Sequence, residues 1–263
     1  MEKGVQENWQ TLKITHEENF LFEDTIARET PITLIVNGTE FATIVCSPTN
    51  VDELAIGFLA TEGVILQATD IKSMQTDEKR GFVYVELTKA LNLEVADHSK
   101  RVIGSCCGKS RQFYFKSDQR TAKTIMTHTS ITPTQIFHLM KTMQKASTDF
   151  QATGGVHNAA LGTVDDVLIT RTDIGRHNAL DKIYGHMLQA QISARNKVIV
   201  FSGRISSEVL LKISKMGIGI IISTSAPTDL ALSLADDLGI TAIGFVRGDK
   251  MNVYTHQSRV NLA

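Results

Sequence analysis

Apolar residues along the first half of the chain recur in two ways, at alternate positions and at helical spacing. Two β-branched runs flank Asn37-Gly38 in ITLIVNGTEFATIVC (32–46), which predicts a hairpin because both turn residues accept a positive φ. TNVDELAIGFLATEG (49–63) has apolar residues at helical spacing, acidic residues in its first turn and Gly63 at its end, so it predicts a helix. Further runs typical of strands are FVYVELT (82–88) and RVI (101–103).

The second half of the chain alternates apolar strands with helices. Continuous apolar runs are typical of strands covered on both faces, and KVIVFSG, IGIIISTS and ITAIGFVRGD are such runs, separated by segments with helical spacing. This βαβαβ order predicts a largely parallel sheet covered by helices. Before it, the pattern predicts a helix from Thr132-Pro133 to about Gln144, two strands in ALGTVDDVLITRT (160–172) and a helix in RHNALDKIYGHML (176–188).

These elements divide the chain into three predicted parts. Residues 1–20 are polar and are expected to form a loose tail. Residues 21–125 are predicted to form a smaller, β-rich α+β subdomain that includes a cysteine-containing loop, and residues 126–263 an αβα domain. With 263 residues, the chain is long enough to bury a substantial core.

Composition limits the classes of partner. The 27 Lys and Arg residues balance 28 Asp and Glu residues, so the formal net charge of −1 does not favour a nucleic acid or membrane partner. The sequence lacks a secretory signal and any run of roughly 18 apolar residues that could span a bilayer. Three cysteines, two of them adjacent, favour reduced thiols over a disulfide framework, and we expect a cytoplasmic protein.

The adjacent cysteines lie in GSCCGKSR (104–111), between glycines and just before two basic residues. A P-loop requires glycine five residues before Gly-Lys-Ser, and Ile103 stands there instead. A cysteine phosphatase places its nucleophile six residues before an arginine, whereas Cys106 and Cys107 lie five and four residues before Arg111. Neither of these phosphate-binding motifs therefore matches.

Three interpretations of the cysteine loop remain. Zinc prefers two cysteines with two to four residues between them, so adjacent cysteines are a poor chelate. Inert packing is the usual role of a free cysteine, but the flanking glycines argue against it. Thiol chemistry fits best, because Lys109 and Arg111 favour a thiolate, and a thiolate on a loop can accept sulfur as a persulfide and pass it on.

The segments that follow the three apolar strands are rich in small, hydroxyl-bearing or basic residues: SGR (202–204), STSAPT (223–228) and RGDK (247–250). Ligands of open α/β sheets bind beyond the carboxyl ends of the strands, where helix N-termini favour phosphate. Each loop taken alone is explained by turns and helix caps. Three such loops at one edge, with Arg204 and Arg247, favour a phosphate-bearing ligand.

Three segments resemble the FdhD family of sulfur carrier proteins: TGGVHNAAL (153–161), DIGRHNALDKIYG (173–185) and FSGRISSEVLLKISKMGI (201–218), followed by FVRGDKMNVYTH (245–256). The resemblance implies a sulfurtransferase that takes persulfide sulfur from a cysteine desulfurase. It would deliver the sulfur to the molybdenum cofactor, bis-molybdopterin guanine dinucleotide, for formate dehydrogenase. It also implies a homodimer and a cytidine-deaminase-like, three-layer αβα C-terminal domain, and a GDP-like or GTP-like nucleotide could mimic the cofactor.

The resemblance also implies the site residues. In the commoner family loop two residues separate the cysteines, so here either Cys106 or Cys107 carries the persulfide, with Cys107 favoured by its CGK context. The expected cofactor-binding residues are Phe245, Val246, Arg247, Gly248, Asp249, Lys250, Arg176, His177, Ser202, Gly203 and Arg204. No metal ligand is expected.

Several roles remain open at this point. Asp249 is more consistent with a turn than with a ligand contact. For Arg176, a ligand contact and an ion pair to Asp173, with Asn178 and Asp181 capping the helix, are equally consistent with the sequence. His157 lies in a segment comparable to the HAE segment of zinc deaminases, but alanine stands where the glutamate is required and PCxxC is absent. The alternative functions are a cofactor-binding chaperone that moves no sulfur and, third, a zinc-dependent nucleoside hydrolase.

Overall fold

A computed structural model describes residues 4–89, 101–103 and 122–262. Its strands are β1 (Gln6–Ile14), β2 (Asn19–Ala27), β3 (Thr30–Val36), β4 (Thr39–Cys46), β5 (Ile71–Asp77), β6 (Phe82–Leu87), β7 (Arg101–Ile103), β8 (His157–Gly162), β9 (Val167–Asp173), β10 (Val198–Phe201), β11 (Ile220–Ser223), β12 (Thr241–Arg247) and β13 (Lys250–Val253). Its α-helices are α1 (Val51–Thr61), α2 (Pro133–Ala146), α3 (Thr148–Thr153), α4 (Arg176–Gln189), α5 (Ser207–Met216) and α6 (Asp229–Asp237).

The C-terminal sheet has the strand order β13-β12-β11-β10-β8-β9. Strands β10, β11 and β12 are parallel and are connected through α5 and α6, which confirms the predicted βαβαβ unit. The prediction of a largely parallel sheet is wrong, because β8, β9 and β13 all pair antiparallel to their neighbours. Short turns join β8 to β9 and β12 to β13, and a short turn permits only antiparallel pairing.

Helices cover both faces of this sheet. On one face, α2 contributes Ile136, Leu139 and Met143 to a core with the strand residues Val200 and Ile222. On the other face, the core contains α4, α5 and α6 together with inward-facing residues of the same strands. The predicted αβα arrangement of layers and the α/β fold class are confirmed. The likeness to cytidine deaminases stays a prediction.

The N-terminal sheet has the order β5-β6-β3-β4-β7. Strands β3 and β4 form the predicted hairpin, and its turn residues Asn37 and Gly38 both have a positive φ, 48° and 77°. Helix α1 packs on this sheet in the position predicted for a helix, and Gly63 follows its end with φ 75°. The backbone of β7 pairs in parallel with β4, so the chain enters the cysteine segment directly from this sheet.

Helices α1 and α4 join the two sheets at very close range. A Cβ atom added at Gly57 of α1 would lie 1.8 Å from the carbonyl oxygen of Asp181, and one added at Gly185 of α4 would lie 1.9 Å from that of Glu53. Only glycine permits such an approach of two backbones. One continuous apolar core therefore extends from the N-terminal sheet through both helices to the C-terminal sheet.

The expectation of a loose tail over residues 1–20 is wrong from Gln6 onward. Strands β1 and β2 pair antiparallel as a two-stranded ribbon, and Thr15 Oγ1 accepts hydrogen bonds from the N–H groups of Glu17 and Glu18 in the connecting turn. The ribbon residues are mostly polar and exposed, and even Trp9 is 63% exposed. The sequence gives a weak strand signal here because its apolar residues do not alternate strictly.

Candidate functional site at the carboxyl edge of the C-terminal sheet

The ends of β10 and β11 are bound to each other by hydroxyl groups. The carbonyl oxygen of Ser202 accepts hydrogen bonds from Thr224 Oγ1 at 3.1 Å and Ser225 Oγ at 2.9 Å, and Ser202 Oγ accepts one from the N–H of Asn158 at 2.9 Å. Ser223 Oγ donates to the carbonyl oxygen of Gly203 at 2.8 Å. The loops after β10 and β11 therefore meet at one edge, as the sequence predicts.

The end of β12 joins the same edge. The N–H of Phe245 donates to the carbonyl oxygen of Ser225 at 3.3 Å, and Arg247 Nε donates to the carbonyl oxygen of Thr224 at 2.9 Å. Phe245 has φ 53°, the left-handed region that costs a non-glycine residue about 1–3 kcal/mol. This conformation produces a bulge in the pairing with β13 and leaves the ring 39% exposed, with the Arg247 guanidinium 5.9 Å from its centroid.

The other residues of the 245–250 segment differ in what they can offer a ligand. The Val246 side chain is buried in the core beneath α2, so the backbone is the part of this residue that can face the edge. Gly248, with φ 58°, and Asp249 form the turn between β12 and β13, which agrees with the turn-forming interpretation of Asp249. Lys250 is exposed and lies opposite Arg247 in the strand register.

The first turn of α4 lies beside the loop after β10. A Cβ atom added at Gly203 would lie 3.1 Å from Arg176 Cβ and 2.7 Å from the Phe201 ring, so a side chain at Gly203 would displace one of them. Arg204, in contrast, is exposed. The structure thus brings Arg176, Ser202 and Gly203 together, and Arg204 extends from the same loop.

The predicted ion pair between Arg176 and Asp173 is wrong. Asp173 is fully buried and pairs with Lys182 Nζ at 2.7 Å, and its oxygens also accept hydrogen bonds from the N–H groups of Ser47 and Gly175 and from Asn178 Nδ2. Lys182 lies six residues after Arg176 in α4, between one and two helical turns away, and satisfies this carboxylate in the interior. Arg176 therefore remains outside this network.

The alternative that Asn178 and Asp181 cap α4 is also wrong. The N-cap is Gly175, with no side-chain cap, and Asn178 Nδ2 donates to the carbonyl oxygen of Val45 at 3.0 Å. Asp181 pairs with Lys212 at 2.6 Å and accepts a hydrogen bond from Thr61. Burial raises the pKa of the Asp181 carboxyl, and Lys212 opposes that rise. These side chains fasten α1 to α4 and α5.

Three buried polar atoms near this edge have no hydrogen-bond partner among the described residues: Arg176 Nε, His177 Nε2 and Ser206 Oγ. His177 Nε2 lies 3.2 Å from Glu208 Oε2, close enough for an ion pair but not aligned as a hydrogen bond. Ser206 is the N-cap residue of α5, and its hydroxyl makes no capping bond. Most buried polar atoms are paired, so their concentration here indicates a ligand site.

His157 begins β8 at the same edge, with Nδ1 3.4 Å from Ser202 Oγ. Burial lowers the pKa of His157, the charges of Arg176 and His177 lower it further, and Asp173 acts in the opposite direction. The ring is therefore disposed to be neutral. Ser202 Oγ accepts the N–H of Asn158, and its contact with His157 Nδ1 suits either tautomer of the ring, because a hydroxyl both donates and accepts.

Of the three cysteines, the structure describes Cys46. Cys106 and Cys107 lie outside the described residues, so their expected role stays a prediction. Cys46 ends β4 and is fully buried, and desolvation followed by the charge of Asp173 raises the pKa of its thiol to about 12, against the effect of Lys182. A thiol held neutral in this way is not a sulfur acceptor.

Sequence reasoning missed Ser206 and the division of roles within GRHNALDK. Ser206 carries the N-cap signal that precedes SEV, but nothing in the sequence indicates that its hydroxyl stays unbonded. Asn178 lies three and four residues before Asp181 and Lys182, and all three side chains contact the N-terminal part of the chain, at Val45, Thr61 and Ser47. That spacing was the available signal for a structural role.

Two further properties of the described residues bear on the site. The described parts of the chain contain no group of three or more His, Cys, Asp and Glu side chains arranged to hold a metal ion. None of the helices within these same ranges combines the length and apolar character needed to cross a membrane.

The fold and the site together define an α/β protein with basic and hydroxyl-bearing residues gathered at one sheet edge. A model of the FdhD/NarQ family matches residues 27–261, and the chain belongs to this family. It is 58% identical over 238 residues to a sulfur carrier protein FdhD of Geobacillus kaustophilus, covering 90% of each chain. It is 53% identical over 262 residues to one of Halalkalibacterium halodurans, covering 99% of this chain and 97% of the relative.

A solved structure has the same fold. The crystal structure of a candidate formate dehydrogenase accessory protein from Desulfotalea psychrophila matches with a TM-score of 0.81 and 23% identity, covering 98% of this chain and all of that chain. At this identity the match concerns the fold alone. It confirms the mixed α/β architecture, including most of the chain that precedes residue 27.

Proposed function

We propose that this protein is a sulfurtransferase that accepts sulfur from a cysteine desulfurase and delivers it to the molybdenum cofactor of formate dehydrogenase. The observation that carries the proposal is its family membership, together with relatives of 53–58% identity that are named sulfur carriers. A pair of cysteines between glycines and basic residues supplies the chemistry. The expected location is the cytoplasm, and the expected assembly is a homodimer.

The first chemical step is a thiol exchange. The thiolate of Cys107 or Cys106 attacks the terminal sulfur of the donor persulfide, the donor S–S bond breaks, and the donor leaves as a thiolate. The proton stays on the transferred sulfur, and no external oxidant or reductant is required. The cationic neighbours Lys109 and Arg111 favour the attacking thiolate because they stabilise its negative charge.

The cofactor is proposed to bind along the carboxyl edge of the C-terminal sheet. Bis-molybdopterin guanine dinucleotide carries phosphates at both nucleotide ends, and this edge offers Arg247, Lys250 and Arg204 with the hydroxyl groups around Ser202. Phe245 presents an exposed ring whose strained backbone is typical of a binding site. These residues bind and orient the cofactor, and a guanine nucleotide is expected to compete for the same positions.

Intact-protein mass spectrometry tests sulfur acceptance. After incubation with a cysteine desulfurase and cysteine, we expect the wild-type protein to gain the mass of one sulfur atom and to lose it with dithiothreitol. The single variants Cys106→Ala and Cys107→Ala identify the acceptor, and the Cys46→Ala variant serves as the control that keeps the gain. A gain that persists in the double loop variant would exclude a persulfide on these cysteines.

A cofactor-binding chaperone that moves no sulfur is the second candidate. The polar edge supports it, because the residues described there bind a ligand without any thiol chemistry. In a strain that lacks the native protein, this candidate predicts that the double variant Cys106→Ala/Cys107→Ala restores formate dehydrogenase activity. The sulfurtransferase predicts no restoration, with the Cys46→Ala variant restoring activity in the same strain.

A further inference from the structure

Arg176 is a half-buried arginine whose side chain has no partner among the described residues. Its Nε is buried and unbonded, and Arg176 makes no hydrogen bond or ion pair with any residue that the structure describes. Buried guanidinium groups are normally paired with an anion, because desolvation of an unpaired charge is costly. The Arg176 guanidinium in the first turn of α4 can therefore bind an anion that none of the described residues supplies.

The neighbouring carboxylates are already engaged. Asp173, three residues before Arg176, is satisfied by Lys182 and by three N–H donors. Glu208 lies 3.2 Å from His177, and it offsets the charge of that ring when the ring is protonated. Neither of these carboxylates pairs with Arg176, so a bound molecule is the expected source of an anion opposite it.

Hydrogen-bond donors surround this place. Ser206 Oγ is buried without a partner, and the N-caps of both α4 and α5 lack a side-chain capping bond. His157 lies at the same edge, with Nδ1 3.4 Å from Ser202 Oγ. A guanidinium with a hydroxyl group and free backbone N–H groups is a set that suits tetrahedral oxyanions such as phosphate.

We propose that Arg176 and Ser206 form an oxyanion subsite that binds a phosphate group, beside the 245–250 segment and additional to it. The inference rests on the proposed function, since it assigns the subsite to a phosphate of the guanylated cofactor. Arg247 donates to the carbonyl oxygen of Thr224, and Arg176 abuts Gly203, so each arginine adjoins one of the two loops that the Ser202–Thr224 contact joins. A ligand with two separate phosphates engages both.

Isothermal titration calorimetry of the full chain with three probes tests the subsite: inorganic pyrophosphate, GDP and guanosine. Arg176→Gln is expected to weaken pyrophosphate and GDP binding by about tenfold or more, because it removes a charge-assisted hydrogen bond. Guanosine binding should be unchanged. Arg195→Gln removes an exposed arginine at the opposite edge of the sheet and is expected to bind all three probes as the wild type does.

Ser206→Ala and Arg176→Lys extend the test if Arg176→Gln does not fold. Ser206→Ala deletes one oxygen atom and should weaken pyrophosphate binding severalfold, and Arg176→Lys, which loses the forked donor, should weaken it as well. Unchanged pyrophosphate affinity in both variants, or no pyrophosphate binding by the wild-type protein, overturns the inference.

Sulfur loading of the wild-type chain, measured in parallel, separates this inference from the proposed function. A wild-type protein that binds pyrophosphate through Arg176 but gains no sulfur supports the subsite and contradicts the sulfurtransferase. A wild-type protein that gains sulfur while Arg176→Gln and Arg195→Gln bind pyrophosphate equally contradicts the subsite and leaves the sulfurtransferase supported.

Discussion

Helix α4 carries two groups of charged and polar residues that the structure treats in opposite ways. In the interior, Lys182 of α4 pairs with Asp173 at the end of β9, and both are fully buried in a network in which each charge has a partner. At the first turn, Arg176 has no partner among the described residues. The two groups are separated by less than two turns of helix, so burial and partner choice, rather than residue type, distinguish a structural charge from a binding charge.

The largest expected effect concerns the interior group. Lys182→Met leaves the Asp173 carboxylate buried without its cation, which typically costs about 3–5 kcal/mol. Urea unfolding should show this loss in the free energy of unfolding, whereas Lys141→Met on the exposed face of α2 should change it little. Equal stability of the two variants would mean that the interior pair is not a structural element.

The glycine contact between the helices comes next. Gly185→Ala places a Cβ atom 1.9 Å from the carbonyl oxygen of Glu53, so α1 and α4 must separate, at an expected cost of about 1–3 kcal/mol. A loss of this size is informative because glycine to alanine in a helix otherwise stabilises. Gly4→Ala, where no atom lies within 4 Å, is the matched control in the same thermal or urea unfolding experiment.

At the carboxyl edge of the C-terminal sheet, a substitution should keep or raise the free energy of unfolding instead of lowering it. Arg176→Met removes an unpaired, half-buried charge, so the ligand-free protein should keep its stability or gain about 0.5–1 kcal/mol, as is common when binding residues are replaced. Arg195→Met is the control, because it shows how the loss of an exposed arginine changes the free energy of unfolding. A loss of more than 1 kcal/mol in Arg176→Met alone would contradict the contrast between the two ends of α4.

The smallest effect is a pH dependence. Because the pKa of His157 is lowered by burial and by Arg176, this group contributes stability above its unfolded pKa of about 6.5 that is lost as the pH falls through its folded pKa. The stability difference between wild type and His157→Asn should therefore shrink below pH 6.5. The exposed His138→Asn on α2 should show no such trend, and a growing difference for His157→Asn would refute the assignment.

Local sequence pattern predicted the elements whose turns or apolar runs are distinctive. Asn37-Gly38 fixes its hairpin through the turn conformation alone, and the βαβαβ segments have continuous apolar strands. The β1–β2 ribbon was missed because its polar strands and exposed Trp9 lack a clear period of two. The antiparallel pairing of β9 and β13 follows from the short turns that precede these strands, whereas the pairing of β8 with β10 joins segments far apart in the chain, and local sequence does not encode that choice.

The loops of the candidate site could be predicted from the sequence, but the ion pairs around it could not. Small and hydroxyl-bearing residues after each parallel strand indicated the edge around Ser202 and Thr224. A contact distant in sequence decides that Lys182, and not Arg176, pairs with Asp173. Ser47, just after β4, donates its N–H to Asp173 and accepts a hydrogen bond from Lys182 at its carbonyl oxygen, which completes the buried environment of the pair. A single sequence read locally cannot decide between two cations for one carboxylate.

The position of Arg176 also depends on the helical phase of α4. Each residue of an α-helix advances the side chain by about 100°, so the angle between Arg176 and Lys182 is set by the six residue steps between them. Inserting one residue between His177 and Asp181 would turn the guanidinium away from the sheet edge or pull Lys182 from its carboxylate. The contiguous GRHNALDK segment thus fixes the angle between the Arg176 side chain and the buried Lys182–Asp173 ion pair.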